Sequence, residues 1–203
     1  MIMTLELPFS AACERNKQVI LDQIKLYLRN TNEVFEIGSG TAQHAVHFSS
    51  SLPHLTWQTS DCSDYIAGIH AQIKAAKNDN VLEPVVLDVD QPQWLSRVKK
   101  YSAVYTANTL HIMPWRSVEN FFKGLPQITD SGSLLFIYGP FKYDGKFTSP
   151  SNAEFDQSLR LRGKGSAIRD FEKIKQCALK SEFRLLEDIS MPANNQLLIW
   201  RRT

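Results

Sequence analysis

The feature that most constrains this chain is a beat: short β-favouring runs alternate with stretches at helical spacing. Val34-Phe35-Glu36-Ile37 is a strand closed by Gly38-Ser39-Gly40, and Ala42 to Ser50 then carries few strand formers and few breakers. Leu55 to Thr59 reads as a second strand, followed by a helix from about Ser63 with Ile66, Ile69 and Ile73 on one face. Pro84 to Leu87, Ala103 to Ala107 and Ser133 to Tyr138 supply three more strands, with helices around Trp94 to Lys99 and Pro114 to Phe122 between them. A further helix over about residues 15 to 29, carrying Val19, Ile20, Ile24, Tyr27 and Leu28, precedes the first strand. Strands separated by crossovers of this length pair in parallel, so the order predicts an open α/β sheet with helices on both faces.

The ending breaks the beat. Ile168, Phe171, Ile174, Ala178 and Leu179 make one more amphipathic helix, and the strand-like runs Phe183 to Ile189 and Gln196 to Trp200 are joined only through Met191-Pro192-Ala193-Asn194-Asn195. So short a connection joins antiparallel neighbours. The expectation is therefore a Rossmann-like sheet of seven strands with an antiparallel C-terminal strand. Its 203 residues suit a single domain over 1–203, with an N-terminal helical segment over 1–30. Residues 139–167, rich in Gly, Pro and Ser and weak in periodicity, read as a lid or substrate loop, because ligands bind at the carboxyl edge of such sheets.

Composition narrows the function classes. With Lys+Arg 23 against Asp+Glu 21, the formal charge of +2 lacks the basic excess that counterion-driven nucleic-acid binding needs. The longest apolar run, Leu134 to Tyr138, falls far short of the roughly 18 residues that would span a bilayer. Met1-Ile2-Met3 before Glu6 and Pro8 offers no signal-peptide pattern, and Cys13, Cys62 and Cys177 are an odd, widely spaced set that fits reduced thiols. A cytoplasmic protein with a small-molecule substrate, no nucleic acid and no membrane partner is the expectation; the sequence sets no oligomeric state.

The strongest chemical signal is Glu36-Ile37-Gly38-Ser39-Gly40-Thr41-Ala42, a glycine turn that lets a ligand approach where a Cβ would collide. Asp61 ends the second strand, where a carboxylate can accept from both hydroxyls of a ribose; it equally suits a cap for the helix near Ser63. Asp88 repeats the placement after the third strand, and also suits a turn residue in Asp88-Val89-Asp90-Gln91-Pro92. A phosphate-cradling P-loop is excluded, since no lysine follows the glycines. A nicotinamide dehydrogenase shares Gly38, Gly40 and the acid of the second strand. Its catalytic pair is imitated by Tyr138-x-x-x-Lys142, but Gly139 and Pro140 between them keep the two off one helix face. The third reading is S-adenosylmethionine, which has adenine and ribose but no pyrophosphate.

At this point the chain resembles class I S-adenosylmethionine-dependent methyltransferases, through Glu36-x-Gly38-x-Gly40, Asp61, Asp88 and the closing antiparallel pair. It resembles more narrowly a small methyltransferase-like family of unknown substrate. The blocks are Ala12-Cys13-Glu14-Arg15-Asn16, Ile37 to His44, Trp57 to Asp61, Asn108 to Trp115, Tyr138-Gly139-Pro140-Phe141, Ser151-Asn152-x-x-Phe155-Asp156, Ile168-Arg169-Asp170 and Met191 to Asn195. One departure is Ala42, where class I enzymes often carry a third glycine. The resemblance implies that Glu36, Gly38 and Gly40 line the methionine half of the cofactor and that Asp61, with Cys62 adjoining, takes the ribose. It further implies that Asp88 and Val89 flank the adenine, and that Asn108 faces the sulfonium.

For the reaction, His111 is the candidate general base, with hydrogen bonding to loop backbone as its structural alternative. His44 and His47 lie one turn apart but lack a third ligand, so no metal is assigned. Arg15, Asn16, Tyr138, Asn152 and Arg169, with Asp156, Arg160 and Arg162, sit in segments able to close over the sheet edge, and their arginines suit a small anionic acceptor. The alternative reading is a non-catalytic S-adenosylmethionine-binding sensor or interaction protein. A nucleic-acid methyltransferase is disfavoured because Asn108 is followed by Thr109-Leu110-His111 and not by the Pro-Pro-aromatic run that stacks a flipped base.

Overall fold

A computed structural model describes residues 7–203, apart from the side chains of Pro92 and Arg97. The first six residues, on which the signal-peptide reading rested, lie outside it. Seven strands form one sheet, as the sequence predicts, with six α-helices among the described residues. The chain divides into two compact units, the first ending at Asp88 and the second beginning at Val89.

The first unit runs α1 (Ala11–Tyr27), β1 (Glu33–Glu36), α2 (Gln43–Ser51), β2 (Thr56–Asp61), α3 (Ser63–Ala76) and β3 (Val81–Val86). Both strand pairs are parallel, with Val34 opposite Trp57 and Trp57 opposite Val81. Helix α1 starts earlier than its apolar periodicity suggests because Ser10 caps it, its Oγ accepting from Cys13 N–H at 3.3 Å. Ile20, Leu21 and Ile24 form its buried face, and the core closes on Phe35, Phe48, Trp57 and Ile69. Ser63 is the first residue of α3, with Cys62 in the cap position.

The second unit opens with a 3₁₀ turn, Pro92–Arg97, where the sequence suggested a helix around Trp94 to Lys99. It continues with β4 (Tyr101–Ala107), α4 (Trp115–Ile128) and β5 (Thr129–Gly139). Strand β4 pairs in parallel with β5, and the last strands, β9 (Phe183–Met191) and β10 (Asn195–Arg202), pair with each other antiparallel. Strand β10 also lies antiparallel to β5, so Leu197, Leu198, Ile199 and Trp200 are buried. The strand order is β3-β2-β1 within the first unit and β4-β5-β10-β9 within the second.

The stretch expected to be a loop is built. It holds β6 (Phe141–Tyr143), β7 (Lys146–Phe147) and α5 (Pro150–Leu161), and β8 (Arg169–Asp170) adds to β6 before α6 (Phe171–Lys180). The signals are local. Asp144-Gly145, both at positive φ, make the two-residue turn between β6 and β7. Ser149 caps α5 by accepting from Asn152 N–H at 3.1 Å, and Pro150 opens the helix. Among the described residues no helix is long and apolar enough to cross a membrane.

Candidate functional site

In the first unit, the carboxyl ends of β1 and β2 and the loop after β1 converge on three groups. Gly38, Gly40 and Ala42 take φ of 80°, 56° and 57°. Glycine meets that demand without cost, whereas Ala42, buried, carries the left-handed strain that its side chain brings. A Cβ placed on Gly40 would meet no atom within 4 Å, so open space adjoins the loop. Asp61 fixes this loop: Oδ2 accepts from Gly40 N–H at 2.7 Å and Oδ1 from Cys62 N–H at 2.7 Å. The carboxylate therefore does not serve as the helix cap that sequence also allowed, and with two oxygens it keeps acceptor capacity for further donors. Burial raises its pKa against the pull of those two N–H groups.

Glu36, at the end of β1, is 1% exposed, and its Oε2 accepts from Trp57 Nε1 and Ser39 Oγ, both at 3.0 Å. Burial outweighs those bonds and, with the Asp61 charge adding to it, pushes the carboxyl up to about 7. Trp57 as its partner escaped sequence reading, since neither spacing nor residue type marks a partner across a parallel pair. Cys62 and Asp88 are exposed at the ends of β2 and β3. The acids and open backbone here fit a ligand with hydroxyls and a cationic group, which is the donor set of S-adenosylmethionine.

The N-terminal candidates separate. Arg15 is exposed on α1, whereas Asn16 is buried and its Oδ1 sits 2.7 Å from His44 Nε2. His47 Nε2 lies 3.0 Å from Gln18 Oε1, so both histidines have protein partners.

In the second unit, Val89 is buried and Asn108 follows β4 at φ 56°, a left-handed position that asparagine tolerates, its N–H donating to Tyr138 O at 2.8 Å. Tyr138 itself is buried in β5. His111 is 6% exposed, edge-on to Phe155 with ring centroids 5.4 Å apart. Burial, with Arg169 and Arg162 adding repulsion, pulls its imidazole down to about 4. Neutral at physiological pH, it can accept a proton, but only as a weak base. Asn152 is buried and donates through Nδ2 to Thr148 Oγ1 and Asn194 O, at 2.8 and 2.9 Å. Arg169 gathers the loop after β4, donating from Nε to Leu110 O at 2.9 Å and from Nη2 to Met113 O and to Gly165 O, the last at 3.0 Å.

Solved structures share this fold. An O-methyltransferase family protein from Burkholderia thailandensis matches with a TM-score of 0.83 at 16% identity, over 95% of this chain and 57% of that one. Mitomycin 7-O-methyltransferase MmcR matches at 0.81 and 13% identity, over 95% and 55%. Human N-acetylserotonin methyltransferase, solved in complex with SAM, matches at 0.78 and 10% identity, over 94% and 52%. The chain thus spans little more than half the length of these structures. Residues 7–202 match a family model described as "Protein of unknown function (DUF938)". The chain carries a methyltransferase fold and belongs to the DUF938 family.

Proposed function

We propose that this protein is an S-adenosylmethionine-dependent methyltransferase acting on a small acceptor that carries an anionic group. The observation that carries the reading is the Asp61 carboxylate bonded to Gly40 N–H beside open space, in a fold shared with methyltransferases. In this reading Glu36, Gly38 and Gly40 hold the methionine half of the cofactor and Asp61 its ribose hydroxyls. Bound there, the cofactor supplies a methyl group already activated on a sulfonium.

The protein's part is then to place an acceptor and keep water away. A base as weak as His111 suits an acceptor that arrives ionised, such as a carboxylate, and Arg169 supplies positive charge in the same unit. An anion bound nearby would raise the His111 pKa toward the range where it takes a proton readily. The 139–167 segment, through Asn152, and Arg169 just beyond it are assigned to shaping the acceptor site.

Calorimetry with S-adenosylhomocysteine tests the cofactor half. Asp61→Ala should lose roughly 1.5 to 3 kcal/mol of binding, the range for hydrogen bonds to a charged group. Asp61→Asn, which keeps an acceptor for Gly40 N–H, should retain part of it, with urea unfolding showing that both variants stay folded. Affinity unchanged in Asp61→Ala would refute the assignment.

A further inference from the structure

The second unit contains a cavity of about 450 Å³ lined by residues of α4, α5, α6, β6 and β8. Lys142, Arg160, Arg169 and Lys173 reach its wall from four different elements, and Asp170 is the single acid there among the described residues. Trp115 supplies an aromatic face, with the Arg169 guanidinium 5.9 Å from its ring centre. Four cations against one acid, around a space in the size range of small-molecule sites, need an explanation.

Solvation accounts for part of it. Lys173 is exposed, and Lys142 lies over the Phe147 ring at 5.3 Å. Arg160 has its own partner, Asp156 Oδ2 at 2.6 Å, and the other oxygen of Asp156 accepts from Ile168 N–H at 2.7 Å. Arg169 is different. It is 7% exposed, yet it forms no ion pair among the described residues, and its three hydrogen bonds all end on neutral backbone carbonyls. Those bonds use Nε and Nη2, while Nη1 donates to no described residue. Asp156, already engaged by Arg160 and Ile168 N–H, attracts this guanidinium only through space, and the Nη1 edge is left for a further acceptor.

We propose that this cavity binds the oxyanion of a planar, apolar compound, a carboxylate or a phosphate, with Arg169 Nη1 as donor and the apolar body against Trp115. Lys142 and Lys173 supply attraction at the rim. The Trp115 ring beside the cations favours an aromatic carrier over a bare ion. The inference rests on the acceptor reading only in taking this anion to be the acceptor's own charged group, and binding itself can be tested apart from methyl transfer.

The test is calorimetric titration of the full chain with phenyl phosphate, benzoate, inorganic phosphate and neutral benzyl alcohol. Saturable binding of either aromatic anion is expected, weakened by added salt; the tighter of the two assigns the oxyanion. Because Arg169 also ties the loop after β4, the decisive variant is Lys142→Gln with Lys173→Gln on the rim. It should bind roughly tenfold more weakly, as loss of two attracting charges at the rim implies. Trp115→Ala should erase the advantage of phenyl phosphate over inorganic phosphate. Benzyl alcohol binding as tightly as benzoate, no saturable binding of either anion, or rim variants indistinguishable from the parent would overturn the proposal. S-adenosylhomocysteine binding in a protein that ignores both anions would sink this cavity alone, whereas the converse would sink the cofactor reading and leave the cavity standing.

Discussion

Replacing Glu36 by glutamine tests whether burial governs the acid at the heart of the first unit. A buried carboxyl at about 7, against an ordinary 4.5, keeps its proton in the folded chain where the unfolded chain has already lost it. The group's contribution is therefore fully present below pH 4.5 and is lost as pH rises to about 7, above which it is constant. A difference of 2.5 pH units corresponds to about 3 kcal/mol, at roughly 1.4 kcal/mol per unit. Glutamine keeps a carbonyl oxygen for Trp57 Nε1 and Ser39 Oγ but cannot ionise. The stability of Glu36→Gln relative to the parent should thus rise by about 3 kcal/mol between pH 4.5 and pH 7.5.

Urea unfolding followed by circular dichroism at closely spaced pH values measures this directly. The buried His44, whose pKa is drawn down to about 3, contributes the opposite slope, since its stabilisation is lost as pH falls below about 6.5. That term is shared by both proteins and cancels in their difference. A difference that stays flat across the window would refute the reasoning, for it would mean that Glu36 titrates in the fold as it does in the unfolded chain.

Two packing predictions follow from the same structure. A Cβ at Gly124 in α4 would overlap the buried Trp94 ring, 2.7 Å from Cη2 and closer still to Cζ2, so Gly124→Ala should lose about 1 to 3 kcal/mol despite alanine's better helix propensity. Thermal unfolding in a Trp94→Leu background should show the alanine close to neutral, and an equal loss there would exclude the clash. Ala42→Val should destabilise by about 2 kcal/mol or more, because a β-branched residue is forced to φ near 57° at a fully buried position; a variant within about 0.5 kcal/mol of the parent would remove the strain argument.

Legibility in the sequence followed the range of the interaction. The alternation that set the sheet is local, carried by runs such as Val34 to Ile37 and Ala103 to Ala107, and the short joint at Met191 to Asn195 fixed the antiparallel ending. The glycine turn was equally visible, since positive φ at Gly38 and Gly40 is a property of the residue itself. The elements of the 139–167 segment escaped because β6 and β7 are three and two residues long and α5 carries only Phe155, Leu159 and Leu161 as large apolar residues, although Asp144-Gly145 and Ser149-Pro150 marked them.

By itself, then, the chain determined its order of strands and helices and the backbone shape of one loop, both consequences of neighbouring residues. Tertiary structure alone decided which acids lose their water, as Glu36 does against Trp57, and which cation is buried with its hydrogen bonds on backbone carbonyls and no direct ion pair among the described residues, as Arg169 is. It also gathered residues 142, 160, 169 and 173 around one cavity. Desolvation and charge balance depend on the sum of groups brought within a few ångströms, and separation along the chain gives no measure of that distance.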